Sequence, residues 1–312
     1  MTTTGRGRIL VTPRSLTQEG LSHVPELGPL RDAGYELVAG PAGALPSEEE
    51  LLGLVPGCQA WLAGVERITA RVLAAATELR VISRNGAGTD TIDLAAAERS
   101  GITVERAAGA NAQGVAELTL ALTLSALRDV PWSASMVRAG RWERRQGREL
   151  ADITIGVVGL GAIGRRAAGL FHALGAEVVG HDPFAVDPPV ETLPLTELVT
   201  RSDVVTLHCP PPPDGTALVG SALLAHVRPG AVLINTARSA LVDDEAVLAA
   251  LEEGQLRAYA VDAFDSEPPP LTPLLCHDRV LATPHIGGYT GASVRRATSQ
   301  AVANLLAALR KV

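Results

Sequence analysis

The sequence predicts an α/β protein with two doubly wound parallel sheets, and three observations lead to this fold class. Short apolar, strand-like runs alternate with helix-compatible segments along most of the chain, as they do where helices cover parallel sheets. A second series of such runs begins at a glycine-rich turn near the middle of the chain. The length of 312 residues is sufficient for two domains, each with its own core.

The first series consists of strand-like runs separated by short helices. A helix is expected to start at Ser47, because three glutamates follow this capping serine and interact favourably with the helix dipole. Another helix is expected at 69–76. Strands are expected at 8–12, 35–38, 59–63 and 80–83, and another strand follows this series at 102–104.

The second series is longer and has a six-strand pattern. A helix of small apolar residues is expected at 114–127, and another between its capping residue Asp243 and Gly254. A last helix at 291–309 has one apolar stripe and is long enough to return to the first domain. We therefore expect a first domain formed by residues 1–101 and 286–312, with a second domain, 102–285, inserted into it. Strands of the second domain are expected at 153–158, 176–181, 203–208, 231–235, 257–262 and 280–283.

Composition excludes several classes of protein. A hydrophobic content of 46% with 20% charged residues is typical of a soluble globular protein. The net charge of −7 argues against nucleic acid as a partner and gives no reason to expect an anionic membrane surface. No apolar run reaches the roughly 18 residues of a membrane span, and the N-terminal residues are not expected to form a signal peptide.

Cysteine and lysine usage limits the chemistry further. Cys58, Cys209 and Cys276 are scattered and show no metal-ligand spacing, so we expect reduced thiols, a cytoplasmic location and no metal site. The only lysine is Lys311, next to the C-terminus, which argues against Schiff-base chemistry and a P-loop lysine. Cations with a role in a site are therefore expected to be arginines.

The glycine-rich turn has the pattern G-x-G-x-x-G and predicts dinucleotide binding. Gly159 allows a tight turn, Gly161 lets the backbone approach a pyrophosphate, and Gly164 allows close packing of helix and strand. The pyrophosphate would then bind at the positive end of the following helix. The pattern alone is weak evidence, but a strand follows the helix and ends at Asp182, whose carboxylate can accept hydrogen bonds from ribose hydroxyls. Since no Lys or Arg comes directly after Asp182, NAD is favoured over NADP.

Three candidate catalytic residues follow strands of the second domain. Arg238, Glu267 and His285 each come shortly after an apolar run, and the carboxyl ends of parallel strands share one edge with the dinucleotide turn. Hydride transfer at a hydroxyl-bearing carbon needs a proton donor or acceptor, which histidine supplies near neutral pH. A carboxylate can orient that imidazole, and an arginine can bind a substrate carboxylate through two parallel hydrogen bonds. Each residue also has an ordinary structural interpretation, as a surface ion pair, a turn residue or a loop histidine.

A second glycine-rich turn and an arginine-rich segment have two interpretations each. The turn at 84–90 ends a strand of the first domain, and exposed N–H groups around Asn85 and Gly86 would suit a carboxylate, although an ordinary loop explains it equally well. The segment 138–148 contains five arginines around Trp142. Such a run is more often a solvated face than an anion contact, which here would reach a neighbouring subunit.

Together these motifs resemble the NAD-dependent D-2-hydroxyacid dehydrogenase family, and most closely its D-3-phosphoglycerate dehydrogenase branch. The resemblance covers nearly the whole chain, but the C-terminal regulatory domain of many branch members is expected to be absent. It implies a Rossmann-type domain inserted into a smaller, flavodoxin-like substrate domain. The matching runs are 84–94, 109–112, 159–164 with 181–183, 235–238, 261–264 with 267–268, and 283–288.

The resemblance assigns roles to particular residues. It implies that Arg238 binds the carboxyl and carbonyl groups of the substrate, that His285 is the acid/base and that Glu267 is its partner. It also implies that Asn85 and Gly86 bind the substrate carboxylate, and Arg84 is a further candidate for an anionic group. The residues implied to line NAD are Gly159, Gly161, Ala162, Ile163, Gly164, Asp182, Cys209, Pro210, Thr236, Ala237, Gly287 and Asp262, the last accepting a hydrogen bond from the nicotinamide amide.

The expected function is therefore reversible, NAD-linked oxidation of an anionic D-2-hydroxy acid by a homodimer joined largely through its dinucleotide domains. The leading substrate is 3-phosphoglycerate, and reduction of hydroxypyruvate or glyoxylate is the second possibility. A different class of function is an NAD-sensing scaffold, since corepressors that resemble this family keep its fold and triad. The sequence shows no sign of the peptide-binding cleft that such a scaffold would need.

Overall fold

The computed structural model describes residues 6–311, which form two units. Residues 1–5, part of the N-terminal segment discussed above, lie outside the described residues, as does residue 312. One unit runs to Asn111 and resumes at Gly291, and the other is Ala112–Thr290. The second unit therefore interrupts the first in sequence, and both boundaries lie later than the predicted 101 and 285. The first boundary lies later because the strand beginning at Thr103 pairs within the first sheet rather than opening the second unit.

The first unit contains a parallel sheet of five strands in the order β2-β1-β3-β4-β5. This is a doubly wound order, because the chain moves outwards from β1 to β2 and then in the opposite direction from β3 to β5. The sheet confirms the α/β class predicted for this part of the chain. Its strands are β1 (Arg8–Val11), β2 (Glu36–Ala39), β3 (Cys58–Ala63), β4 (Val81–Arg84) and β5 (Thr103–Arg106).

Helices cover both faces of this sheet and bury two apolar clusters. On one face the last helix of the chain places Ala301, Val302 and Leu305 against Ile9 and Val11 of β1. The predicted helix start at Ser47 is a capping box, in which Ser47 and Glu50 bond each other's backbone N–H groups. The helices are α1 (Arg14–Thr17), α2 (Gly28–Asp32), α3 (Glu48–Leu54), α4 (Ala70–Ala75), α5 (Leu94–Arg99) and α12 (Gly291–Leu309).

The second unit contains a parallel sheet of seven strands in the order β12-β11-β10-β9-β6-β7-β8. The pattern predicted six of them. The additional strand has only two residues, Glu191 and Thr192, both exposed, so no apolar run marks it in the sequence. The strands are β6 (Thr154–Val158), β7 (Glu177–His181), β8 (Glu191–Thr192), β9 (Val204–Leu207), β10 (Ala231–Asn235), β11 (Leu256–Val261) and β12 (Val280–Ala282).

The helices of the second unit bury small apolar residues against this sheet. Ala116 and Leu122 of the first of them lie in one cluster with Val157 and Ile234, on central strands. As predicted, the Asp243 side chain caps a later helix by accepting hydrogen bonds from two backbone N–H groups. No helix among residues 6–311 combines the length and the apolar character needed to cross a bilayer. The helices are α6 (Ala112–Leu127), α7 (Val130–Arg138), α8 (Ala162–Ala173), α9 (Leu195–Arg201), α10 (Ser221–Leu224) and α11 (Asp244–Glu252).

Candidate active site

The glycine-rich turn joins β6 to α8, and two of its glycines are required by contacts. Gly159 has φ +94°, and a Cβ placed on it would lie 2.7 Å from the carbonyl carbon of His208. A Cβ on Gly164 would lie 1.9 Å from the carbonyl oxygen of Gly159. No other residue can occupy either position without movement of the backbone.

Gly161 differs from both, because a Cβ on it would project into open space. It precedes α8 as the N-cap residue, and no side chain caps this helix. The first backbone N–H groups of a helix have no partner within it, and the exposed Ala162 and half-buried Ile163 lie in this first turn. An open backbone surface at a positive helix end fits the pyrophosphate of a dinucleotide.

Asp182 lies directly after β7 and holds the turn in place. Its Oδ2 accepts a hydrogen bond from the Leu160 N–H at 2.8 Å, and its Oδ1 accepts one from the Phe184 N–H at 2.9 Å. A carboxylate has about four acceptor positions, so capacity remains for ribose hydroxyls. The guanidinium of Arg165 donates to the carbonyl oxygens of Leu160, Val186 and Asp187, so it is already engaged by the backbone. This arrangement favours NAD over NADP.

The end of the neighbouring strand β9 carries His208 and the predicted cofactor residues Cys209 and Pro210. Burial lowers the pKa of His208 to about 4, so its imidazole is neutral at neutral pH. Its Nε2 lies 3.0 Å from the Thr206 hydroxyl, and its buried Nδ1 has no hydrogen-bond partner among the described residues. Burial raises the pKa of the Cys209 thiol, which suits an uncharged wall of the site and not a nucleophile.

The lowered pKa of His208 predicts a pH dependence of stability. The unfolded chain binds a proton at His208 below about pH 6.5, whereas the folded chain does so only near its pKa of about 4. Stability is therefore complete above about pH 6.5 and is lost as the pH falls towards 4, by up to about 3 kcal/mol. We expect the thermal stability of His208→Asn to decrease less between pH 7 and pH 4 than that of the wild type. His172→Asn, at an exposed position of α8, is the control and should behave as the wild type does. If the stability of His208→Asn decreases as much as that of the wild type, His208 is not the group responsible.

The end of β10 positions Arg238 through Asn235. The buried Asn235 side chain accepts a hydrogen bond from the Ala237 N–H at 3.1 Å and donates one to the Arg238 carbonyl oxygen at 2.8 Å. The hydroxyls of Thr236 and Thr119, on α6, are 3.0 Å apart. These bonds fix the path of the turn 236–238, where the half-buried Arg238 guanidinium donates to the Ala237 carbonyl oxygen at 2.7 Å.

Asp262, at the end of β11, anchors the segment that carries His285. The residue is 2% exposed, and its carboxylate accepts hydrogen bonds from the Thr283 hydroxyl at 2.6 Å and from the N–H groups of Ile286 and Gly287 at 2.8 Å. A Cβ on Gly287 would lie 3.0 Å from its Oδ2. Asp262 therefore shapes the loop after β12, a role additional to the nicotinamide contact that the resemblance implies.

His285 and Glu267 are in direct contact. The Nδ1 of His285 is hydrogen-bonded to the Glu267 Oε1. His285 has φ +53°, a left-handed conformation that costs free energy in most residues; the Asp262 bonds and a 2.8 Å bond from the His285 N–H to the Thr283 carbonyl oxygen hold it. With Nδ1 turned to the carboxylate, Nε2 is the atom left for a substrate.

The sheet order places these groups along one edge. The dinucleotide turn follows β6, and the segments with His208, Arg238, Asp262 and His285 follow β9, β10, β11 and β12, which are successive neighbours. Since all pairings are parallel, every segment leaves the sheet at its carboxyl edge, where such sheets bind ligands. The structure thus brings His285 and Glu267 together and places Arg238 on the same edge.

The turn after β4 in the first unit is arranged differently from the prediction in one respect. The Asn85 N–H continues the sheet by donating to the Ala63 carbonyl oxygen at 2.8 Å, so it is not available to a ligand. The N–H groups of Gly86, Ala87 and Gly88 take no part in the hydrogen bonds between described residues. Arg84 folds over the turn: its Nη1 donates to the Asn85 carbonyl oxygen at 2.9 Å, and a Cβ on Gly86 would lie 2.8 Å from that nitrogen.

Two arginines of the segment 138–148 have structural partners. Arg148 bonds the buried Asp203 at 3.0 Å. Burial opposes ionisation of Asp203, but the Thr154 N–H and Arg148 outweigh it and hold the pKa of the carboxyl below its usual value. Arg145 lies 3.9 Å from the centre of the Trp132 ring and forms ion pairs with two aspartates. For Arg145 and Arg148, contacts within the fold are therefore favoured over a contact with a bound anion.

Sequence reasoning missed Thr283 and Thr119, which hydrogen-bond Asp262 and Thr236 respectively. Thr283 stands directly before Pro284 and His285 at a strand end, and a hydroxyl at that place is a usable signal for a loop anchor. Thr119 lies within an apolar helix, with no local pattern that relates it to Thr236.

The family model for the NAD-binding domain of D-isomer specific 2-hydroxyacid dehydrogenases matches residues 120–287, more than half of the chain. The chain therefore belongs to this family, and its cofactor is NAD. The match covers both the dinucleotide turn and the His285–Glu267 pair.

Individual relatives agree with this membership. D-3-phosphoglycerate dehydrogenase of Methanocaldococcus jannaschii is 38% identical over 72% of this chain and 44% of its own length. The crystal structure of TT0316 protein from Thermus thermophilus is 37% identical, with TM-score 0.87 over 97% of both chains. A glyoxylate reductase from Paecilomyes thermophila is 25% identical, with TM-score 0.86 over 98% of this chain and 96% of its own. Matches to the curated relatives span about half of those proteins' length.

Proposed function

We propose that the chain catalyses reversible, NAD-linked oxidation of an anionic D-2-hydroxy acid to the 2-keto acid. The observation that supports this most is the hydrogen-bonded pair of His285 and Glu267, which lies on the same sheet edge as the dinucleotide turn. An imidazole beside a carboxylate is the proton-transfer group that oxidation of a hydroxyl needs.

NAD supplies the hydride chemistry at C2 of the substrate when it is bound. His285 handles the proton: Nε2 accepts it from the C2 hydroxyl during oxidation and returns it to the carbonyl oxygen during reduction. Glu267 accepts the hydrogen bond from Nδ1, which keeps Nε2 free and stabilises the imidazolium while it holds the proton. Arg238 binds the carboxyl and carbonyl oxygens through its planar guanidinium.

Two classes of anionic acid are candidates for the substrate. The names of the curated relatives favour 3-phosphoglycerate, and the Arg84 guanidinium beside the 86–88 N–H groups would suit an additional anionic group. The glyoxylate reductase among the similar structures favours a small unphosphorylated acid, hydroxypyruvate or glyoxylate. In both cases the N–H groups at 86–88 would bind the carboxylate.

The test is oxidation of NADH by purified protein with a panel of 2-keto acids, with and without a phosphate group. Turnover of any of them supports the proposed reaction, and at least a tenfold preference (about 1.4 kcal/mol) for the phosphorylated acids supports the first class. Equal rates with phosphorylated and unphosphorylated acids would exclude a preference for phosphorylated substrates. NADH binding without any turnover would favour the NAD-sensing scaffold instead.

We also propose that the protein is a homodimer. Trp142 is 85% exposed and Val137 of α7 is 60% exposed, and large apolar side chains so exposed in one short stretch are typical of protein interfaces. The molar mass measured by light scattering tests this. The cytoplasmic location expected from cysteine usage stays a prediction.

A further inference from the structure

The segment that carries Glu267 is held by few contacts. Residues 263–267 follow β11 as irregular chain, and among the described residues their backbone takes part in no hydrogen bond. Ala263 is buried and Phe264 packs against an apolar cluster of the second unit, but both lie at the start of the segment. Within the part of the chain that the structure describes, Glu267 bonds only His285. The position of the Glu267 carboxylate therefore depends on any further contact that fixes this segment.

One side-chain hydrogen bond joins the segment to the turn after β10. The hydroxyl of Ser239 donates to the Oδ1 atom of Asp265. Ser239 directly follows Arg238 in the chain, and Asp265 lies two residues before Glu267. The bond therefore links the turn that carries the candidate substrate-binding guanidinium to the segment that carries the partner of the candidate acid/base.

The Ser239 side of this bond is fixed by other contacts. The Asn235 side chain holds the turn that precedes Ser239. Ser239 then begins a short 3-10 helix, in which the Val242 N–H donates to the Ser239 carbonyl oxygen at 2.9 Å. Because the backbone of Ser239 is held without its hydroxyl, whereas Asp265 belongs to a segment without backbone bonds, the hydrogen bond positions Asp265.

The charges around Asp265 oppose its observed position. Burial raises the pKa of Asp244, at the start of α11, and the charges of Asp265 and Asp243 raise it further, which places Asp265 close to other carboxylates. Like charges repel, so these neighbours favour displacement of Asp265 towards solvent. A hydrogen bond to a charged group is among the stronger ones, and among the described residues the Ser239 hydroxyl is the only donor to this carboxylate.

We propose that Ser239 is a positioning residue for the reaction. Its hydroxyl holds Asp265, and Asp265 keeps the following residues in the conformation in which Glu267 contacts Nδ1 of His285. One hydrogen bond then joins substrate binding to proton transfer, because the turn that carries Arg238 also supports the carboxylate that stabilises the imidazolium. This inference rests on the proposed function, since Ser239 affects turnover only through Glu267.

The first test is replacement of Ser239 with alanine, which should lower kcat for keto-acid reduction about tenfold (about 1.4 kcal/mol). KM for the keto acid and the dissociation constant for NADH should change less than about twofold. The reason is that the Asn235 side chain, and not the hydroxyl, holds the turn of Arg238, and a contact that matters only in the transition state lowers kcat alone.

The measurements are NADH oxidation with hydroxypyruvate and with 3-phosphohydroxypyruvate, NADH fluorescence titration, and thermal unfolding, which should be unchanged. Ser239→Thr keeps the hydroxyl and should retain most of the wild-type kcat. Ser266→Ala is the matched control, because Ser266 lies in the same segment, is exposed and has no side-chain hydrogen bond among the described residues. It should leave every value unchanged.

The second test asks whether Ser239 acts through Asp265 and Glu267. Asp265→Ala should lower kcat as much as Ser239→Ala does, and the double variant should show no further decrease, as expected for two residues that share one interaction. In a Glu267→Ala background, Ser239→Ala should have no effect on kcat, because the carboxylate that it positions is already absent.

Three results overturn the inference. They are a wild-type kcat in Ser239→Ala, a rise in KM in place of the fall in kcat, and an equal loss of kcat in the Glu267→Ala background. The two proposals also fail in distinguishable ways. If the wild type binds NADH but reduces no 2-keto acid, the proposed reaction is wrong and the role of Ser239 is wrong with it. If the wild type is active and Ser239→Ala equals it, only the role of Ser239 is wrong.

Discussion

Replacement of His285 with alanine is expected to lower kcat for keto-acid reduction about 10³-fold, the usual contribution of a positioned acid/base group. The dissociation constant for NADH should change less than about twofold. The reason is geometric: the imidazole bonds Glu267 through Nδ1 and presents Nε2, while the dinucleotide turn is held by Gly159, Gly164 and Asp182. The measurements are steady-state NADH oxidation and NADH fluorescence titration.

Two further variants make this result specific. His226→Ala removes an exposed histidine that follows α10 and should leave both measurements unchanged. Glu267→Gln keeps the side-chain shape but removes the charge that stabilises the imidazolium, so kcat should fall while NADH binding is kept. Loss of NADH binding in His285→Ala would mean that the residue holds the cofactor, and full turnover would exclude it as the acid/base.

The sequence predicted the parts of this site that follow a strand directly. Arg238 and His285 each come a few residues after an apolar run, and parallel pairing then requires that they lie on one edge. The role of Asp262 was implied only by the family resemblance. The contact between His285 and Glu267 crosses 18 residues of irregular chain, and no periodicity in the sequence describes its path. The residues themselves predicted a carboxylate that orients the imidazole and made Glu267 a candidate at this edge, and the family resemblance then assigned Glu267 to His285.

Other features were outside the reach of sequence patterns for physical reasons. The boundary near residue 102 was misplaced because a strand of four residues carries no information about which sheet it joins. The use of the Asn85 N–H by Ala63 depends on strand register, which the glycine-rich composition of the turn does not reveal.

The second large effect is expected at the glycines of the dinucleotide turn. Replacement of Gly161 with alanine should weaken NADH binding without loss of stability, whereas the same replacement at Gly164 should lower the stability of the fold. Gly161→Ala should fold with unchanged thermal stability, because Gly161 has φ −73° and a Cβ there meets no atom within 4 Å. The new methyl would occupy the surface against which a pyrophosphate must lie, so the dissociation constant for NADH should rise at least tenfold (about 1.4 kcal/mol).

Gly164→Ala should instead lower the free energy of unfolding by about 3 kcal/mol or more, because its Cβ would be placed 1.9 Å from the Gly159 carbonyl oxygen. Gly169→Ala is the control within the same helix: a Cβ there meets no atom within 4 Å, so the change should be neutral or slightly stabilising. The comparison separates two functions of the glycines. Gly164 allows close packing of the strand and the helix, whereas Gly161 leaves the backbone at the start of α8 accessible to the pyrophosphate. Destabilisation by Gly161→Ala, or normal NADH affinity in that variant, would contradict this division, and the open surface at the start of α8 would then not be where the pyrophosphate binds.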